Sequence, residues 1–251
     1  MLLNIESNLK QFKSISLDEI KSVNLMNRMD TKFVFSIKKL NELLVALRQY
    51  YNILKVDKKI IQEYKSLYYD TFDRIFYLNH HNNRVNRFKV RFREYVDSEL
   101  VFLEVKFKNN KRKTLKKRIK VDEIPNSLSI EQMNYLERII GKKMNLIAHQ
   151  WINFNRVTLV DKLNKERLTI DLNLNFSNKF KSEDHSDIVI AEVKQDKSNN
   201  MSFFTRIAKK NNIKPTRLSK YCISTISLSP EIKYNRFKEK LLFINKLKKL
   251  I

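Results

Sequence analysis

Four cations recur at every second position of the stretch NRFKVRFREY (86–95): Arg87, Lys89, Arg91 and Arg93, with Phe88, Val90 and Phe92 between them. Side chains alternate across a β-strand. Read as a strand, the segment gathers charge of one sign on one face and an apolar stripe on the other. Guanidinium groups grip phosphate oxygens bidentately, and lysines supply point charges. Alternate residues stand about 6.6 Å apart along a strand, a spacing with which several strands can ring an extended triphosphate. The chemistry implied is the binding of a polyanion by positioned charge.

The same parity recurs along the chain. In 99–108, Glu104, Lys106 and Lys108 oppose Leu103, Val105 and Phe107. In 111–120, Thr114, Lys116, Arg118 and Lys120 oppose Leu115 and Ile119, with Lys117 out of pattern. In 166–176, Arg167, Thr169, Asp171, Asn173 and Asn175 oppose Leu168, Ile170, Leu172, Leu174 and Phe176. In 187–196, Glu192 and Lys194 oppose Val189, Ala191 and Val193. An open sheet with its basic face in water would account for any one of these strands. Two features point further. No carboxylate interrupts the four cations of 86–95, whereas exposed sheet faces mix signs. A Glu-x-Lys pair also stands on two separate strands. A closed barrel lined this way needs a polyanion, water or counter-ions to offset its confined like charges. A carboxylate inside it suits a divalent metal or the orientation of a cation.

The elements that must carry these residues read as α+β, mostly antiparallel strands with peripheral helices. Ser16 with Glu19 marks a helix start. TKFVFS (31–36) is a strand, followed by a helix from Ser36 to about Tyr50 with Leu40, Leu43, Leu44 and Leu47 on one side. A strand over 60–69 ends in SLYYDT, and Asp70 there caps a following helix over FDRIFYLNHH or orients a base. Helices are expected near 130–140 and 201–211, a hairpin over 151–160 and 166–176, and a closing segment over 216–226. From Pro230 the tail is a basic amphipathic helix. It either docks on the domain or meets a partner or an anionic membrane surface.

With 51 Lys and Arg against 27 Asp and Glu, the formal net charge is +24, which implies polyanionic company. The 42% hydrophobic content is enough for a core. One cysteine, Cys222, excludes an internal disulfide and fits a reducing compartment; it reads as packing beside Tyr221. His80, His81, His149 and His185 lack ligand spacing. No secretory leader or membrane-length apolar run is visible, so the expectation is a cytoplasmic protein, at most peripheral to a membrane.

Seven segments occur in the order seen in the VTC domain: NRMDTKFVFS (27–36), SLYYDT (66–71), NRFKVRFREY, FLEVKFK (102–108), ERLTIDLNL (166–174), AEVK (191–194) and RLSKY (217–221). Over residues 15–228 the chain resembles this polyphosphate polymerase domain of the vacuolar transporter chaperone family and its bacterial relatives, within the triphosphate tunnel metalloenzyme superfamily. The resemblance implies an antiparallel tunnel barrel. In it a divalent metal, Mn2+ or Mg2+, assists transfer of the γ-phosphate of ATP to a growing polyphosphate chain.

By the same likeness Lys32, Arg91, Arg93, Lys106, Arg156 and Lys220 are phosphate-gripping residues. Glu192 holds the metal and Ser219 precedes Lys220 in the SK pair. Arg87, Lys89, Lys116 and Arg118 join as supporting charges by parity alone. Arg167 either binds substrate or pairs with Asp171, Glu192 either binds metal or pairs with Lys194, and Glu104 is a structural partner of the tunnel cations. Phe154 is expected among the substrate-binding residues, standing where eukaryotic members carry tyrosine, so a hydroxyl contact is missing. No E-x-E-x-K signature is present, which argues against the CYTH branch. The chain divides into a tunnel domain over 1–228 and a C-terminal helix over 229–251, part of it or appended. The partners implied are ATP and polyphosphate, with no specific nucleic acid. The rival readings are a tunnel-fold triphosphatase and a non-catalytic binder of polyanions or RNA.

Overall fold

The alternating segments become strands of one large antiparallel sheet. A computed structural model describes residues 2–21, 28–111, 113–197 and 202–249. Asn27, Arg112 and Met201, which fall in segments assigned above, lie outside the described residues, as do Leu250 and Ile251. The strands are β1 (Ser14–Ile15), β2 (Arg28–Ser36), β3 (Tyr51–Leu54), β4 (Gln62–Asp70), β5 (Arg87–Tyr95), β6 (Leu100–Lys108), β7 (Thr114–Val121), β8 (Ile147–Asp161), β9 (Glu166–Ser177), β10 (Ser182–His185) and β11 (Ile188–Asp196). The helices are α1 (Leu2–Lys10), α2 (Leu17–Lys21), α3 (Leu40–Leu47), α4 (Ile75–His81), α5 (Ile130–Ile140), α6 (Phe203–Lys210), α7 (Lys220–Leu228) and α8 (Lys238–Lys248).

The sheet runs β2-β11-β9-β8-β4-β5-β6-β7, with β1, β3 and β10 attached at the side. Its neighbours on this path are antiparallel. The sheet curls around the charged parity. Segment 215–220 completes the wall from β2 to β5: the Thr216 amide donates to the Lys32 carbonyl at 2.7 Å, and Lys89 donates to the Ser219 hydroxyl at 2.9 Å. This is an α+β antiparallel tunnel.

The apolar parity packs outward. Phe33, Phe35, Ile170, Leu172, Ala191 and Val193 meet Leu40, Leu43, Leu44 and Leu47 of α3 and Phe204 of α6. Val90, Phe92, Leu103 and Val105 meet Phe76 of α4 and Leu136 of α5. Helix α7 breaks this division, because it sits on the concave side at one end. There Val34 and Ile190 share the parity of Lys32 and Glu192 and pack with Tyr221, Ile223 and Ile226.

Local signals worked where a side chain satisfies a helix terminus. Ser16 and Glu19 exchange hydrogen bonds at the start of α2. Asp70 accepts from the amides of Thr71, Phe76 and Tyr77 at 2.8, 2.8 and 2.9 Å, the capping reading of that residue. The helix expected from Ser36 instead begins as a 3-10 turn over Ile37–Lys39 and ends at Leu47. The tail helix starts at Lys238 rather than just after Pro230, behind a 3-10 turn at Asn235–Phe237. Phe237 and Ile244 are buried and Leu241, Phe243 and Leu247 pack on the same cluster as α7, so the apolar side of α8 lies on the core. No helix among the described residues is long and apolar enough to cross a membrane.

Candidate functional site

Cross-strand register aligns the charged positions into one continuous surface. Lys32 faces Glu192, which faces Thr169; Asp171 faces Arg156; Ser66 faces Arg93 and Tyr68 faces Arg91; Arg91 faces Glu104 and Lys89 faces Lys106; Lys106 faces Lys116. Strands far apart in sequence thus bring their cations to one tunnel.

Three carboxylates on this surface are each held between two cations. Glu104, with no exposed surface, receives Nε and Nη2 of Arg91 at 2.9 and 2.6 Å and pairs with Lys116. Asp171 receives Nε and Nη2 of Arg156 on its two oxygens, at 2.6 and 2.8 Å, and pairs with Lys220. Glu192 pairs with Lys32 and with Lys194 at 2.5 Å.

Burial alone would raise all three carboxyl pKa values, but the neighbouring cations outweigh it. Arg91, Arg93 and Lys116 hold Glu104 well below the usual carboxylate range. Arg156 and Lys220 do so for Asp171, and Lys194 and Lys32 for Glu192. All three stay ionised at neutral pH.

Other cations face the tunnel and form no ion pair with a carboxylate among the described residues. Arg93 donates only to Ser66 Oγ, at 3.3 Å, and lies over the rings of Tyr64 and Phe154. Lys89 is held by Ser219. The Nε of Arg167 is buried without a hydrogen-bond partner. The Arg91 guanidinium, then burial, then Arg93 and Lys89 push the Lys106 ammonium well below its ordinary value. A lysine whose charge is this unwelcome marks a place of strong positive potential, where an anion would restore it.

Most of the expected site residues converge. Lys32, Arg91, Arg93, Lys106, Arg156 and Lys220 share the tunnel, with Lys89, Lys116, Arg167 and Ser219 beside them. Several differ in detail. Phe154 is buried, at 3% exposure, and stacks on Tyr64 with centroids 5.1 Å apart. Arg156 and Lys220 lie over its ring at 5.2 and 4.7 Å, so this phenyl group carries two of the tunnel cations. Arg118 is exposed on the outermost strand, stacked over Phe102 at 4.3 Å. Arg87 donates its Nη1 to the Arg84 carbonyl at 2.8 Å. The pair suggested between Arg167 and Asp171 is replaced by Arg156 and Lys220. The Glu192 pair with Lys194 forms, and so does the structural role of Glu104.

Tyr68 was not singled out by its sequence context. Its hydroxyl accepts from Arg91 Nη1 at 2.7 Å, fixing that guanidinium together with Glu104. The clue was available in parity, since Tyr64, Ser66 and Tyr68 alternate along β4.

A divalent cation finds no ready protein cage: the described residues contain no group of three or more His, Cys, Asp or Glu side chains suited to it. Mg2+ and its like are often held by one or two carboxylates together with substrate phosphates. Glu192 fits that use best. Its partners are two lysines, single-point contacts, whereas Glu104 and Asp171 are gripped by guanidinium forks. A lysine can yield to a metal that arrives with phosphate.

The VTC domain family model matches residues 27–229. No curated protein sequence matches the chain. Among solved structures, HpAC1 from Hippeastrum, described as an adenylyl cyclase candidate with dominant triphosphatase activity, is 12% identical. It aligns over 81% of this chain and 97% of its own at a TM-score of 0.47. A conserved hypothetical protein of Pyrococcus furiosus is 15% identical over 75% of this chain and 97% of its own, at a TM-score of 0.39.

Proposed function

The chain belongs to the VTC domain family, and on that premise we propose that it is a metal-dependent phosphotransferase that binds the triphosphate of ATP in its basic tunnel and passes the γ-phosphate to a growing polyphosphate chain. The observation that carries the reading is the set of three carboxylates each clamped by two cations, surrounded by Lys89, Arg93, Lys106 and Arg167 with no carboxylate of their own. The carboxylates offset the charge of the lining. Incoming phosphate oxygens compete with them for the same donors and add ligands to the unmatched ones.

In this reading Arg91, Arg93 and Arg156 orient phosphate oxygens through their planar forks. Lys32, Lys106 and Lys220 neutralise the charge that builds on the transferred group. Glu192 would hold Mn2+ or Mg2+ together with phosphate oxygens, and the ion supplies further charge neutralisation there.

Their depressed pKa values make Glu104, Asp171 and Glu192 weak bases towards water. The terminal oxygen of a phosphate chain is already anionic and needs no base.

Incubating the purified protein with ATP and Mn2+ tests the reading. Long acid-labile phosphate chains are expected. Orthophosphate without chains would make the protein a triphosphatase. Salt-sensitive RNA binding without turnover of ATP would make it a binder.

A further inference from the structure

The two ends of the tunnel differ in chemistry. At one end α7 fills the concave side: Tyr221 stacks on Tyr68 at 5.1 Å, and Ile223 and Ile226 pack with Val34 and Ile190. At the other end the concave positions of β4, β5 and β6 are aromatic, while those of β2, β9 and β11 carry Asp30, Arg167 and Lys194. Tyr64 and Tyr95 lie 5.0 Å apart between centroids. Tyr95 and Phe102 meet edge to face at 5.9 Å. All three rings keep part of their surface exposed. Phe102 faces Arg93 across β5 and β6, at the outer edge of the gripping cations, and Tyr95, the next concave position on β5, stands about 6.6 Å beyond Arg93 towards the open mouth.

A nucleoside triphosphate is asymmetric, with phosphate at one end and a flat aromatic base at the other. Its phosphates belong with Arg91, Arg93, Lys106 and Lys32. The base cannot lie beyond them on the α7 side, because helix and core side chains occupy that space. It must project to the mouth, where rings line the β4–β6 side of the wall.

We propose that Tyr95 and Phe102 form a nucleobase subsite on which the base of the triphosphate donor stacks. The proposal rests on the reading of the tunnel as a triphosphate site. Stacking accepts any base, because every base presents a π-face. The subsite therefore separates a nucleoside triphosphate from inorganic tripolyphosphate more sharply than it separates one purine from another. The Arg118 guanidinium stacks on one face of Phe102 at 4.3 Å and holds that ring in place.

The test compares ATP and inorganic tripolyphosphate by calorimetric titration against wild type, Tyr95→Leu, Phe102→Leu and Tyr95→Phe. Leucine keeps apolar volume in the wall, so folding is preserved. Each leucine variant is expected to lose roughly ten-fold in ATP affinity, with tripolyphosphate affinity within about two-fold of wild type; Tyr95→Phe keeps both. An equal loss for both ligands, or no loss for either, overturns the subsite while leaving the tunnel reading standing. Failure of wild type to bind tripolyphosphate at all overturns the tunnel reading and the subsite with it.

Discussion

Replacing Glu104 by glutamine tests whether the tunnel carboxylates stand in for phosphate. Glu104 is fully buried between Arg91 and Lys116, with Arg93 close enough to contribute to holding its carboxyl ionised. Removing one partner from a buried ion pair costs about 3–5 kcal/mol. The glutamine amide oxygen can still accept from Arg91, which places the expected loss near about 3 kcal/mol. In a chain of this size 1 kcal/mol moves Tm by roughly 2–4 °C, so Tm of the ligand-free variant should fall by about 6–12 °C. Inorganic tripolyphosphate at about 100 times its Kd returns about 2.7 kcal/mol. It supplies the negative charge that the substitution removed, so its stabilising shift should be larger in the variant than in wild type. Thermal unfolding by circular dichroism, with and without tripolyphosphate at low salt, reads both quantities. An unchanged ligand-free Tm, or a ligand shift no larger than that of wild type, would refute the reasoning.

Glu192→Gln should lower metal-dependent turnover by at least about 100-fold while leaving tripolyphosphate binding without metal within a few-fold, as read by product formation and calorimetry. Arg156→Lys keeps the charge but loses the two-point grip; a fall of roughly ten-fold in tripolyphosphate affinity is expected. The depressed carboxyls of Glu104, Asp171 and Glu192 contribute stability that is whole above the ordinary carboxylate pKa, about 4, and is lost as pH falls towards their folded values. Acid unfolding followed by fluorescence should therefore steepen below about pH 4. Glu166 has the opposite sign: burial raises its carboxyl to about 7, despite the hydrogen bond from Tyr51. Its contribution is present at low pH and declines as pH rises through about 4 to 7, so Glu166→Gln should raise Tm at pH 8 and change it little at pH 4.

Strand parity made much of the tunnel legible in the sequence. Alternation in 86–95, 99–108 and 187–196 assigned Arg91, Glu104 and Glu192 to the inner face and Val90, Val105 and Val193 to the outer one, and the register confirms each. Pairing between strands was another matter. Asp171 lies near Arg167 in sequence, yet Arg156 faces it across β8 and β9 because the ladder slips at Asn153 and Asn155. A bulge of this kind is set by long-range fit and leaves no periodic trace. Strands β1, β3 and β10, of two to four residues, are too short to alternate visibly. The position of α7 escaped as well, since its sequence is apolar on most sides and does not announce that it occupies the concave face. The aromatic support under Arg93 and Arg156 needed Tyr64 and Phe154, some ninety residues apart, to be brought together by the β4–β8 pairing.

Strand β7 ends the sheet, with hydrogen bonds only to β6 among the described strands. A free sheet edge invites a strand from another molecule, and lysine along such an edge deters it by repulsion. Lys116, Lys117, Arg118 and Lys120 are exposed there on both faces. The positive charge on this border therefore guards against copies of the protein adding strands to one another.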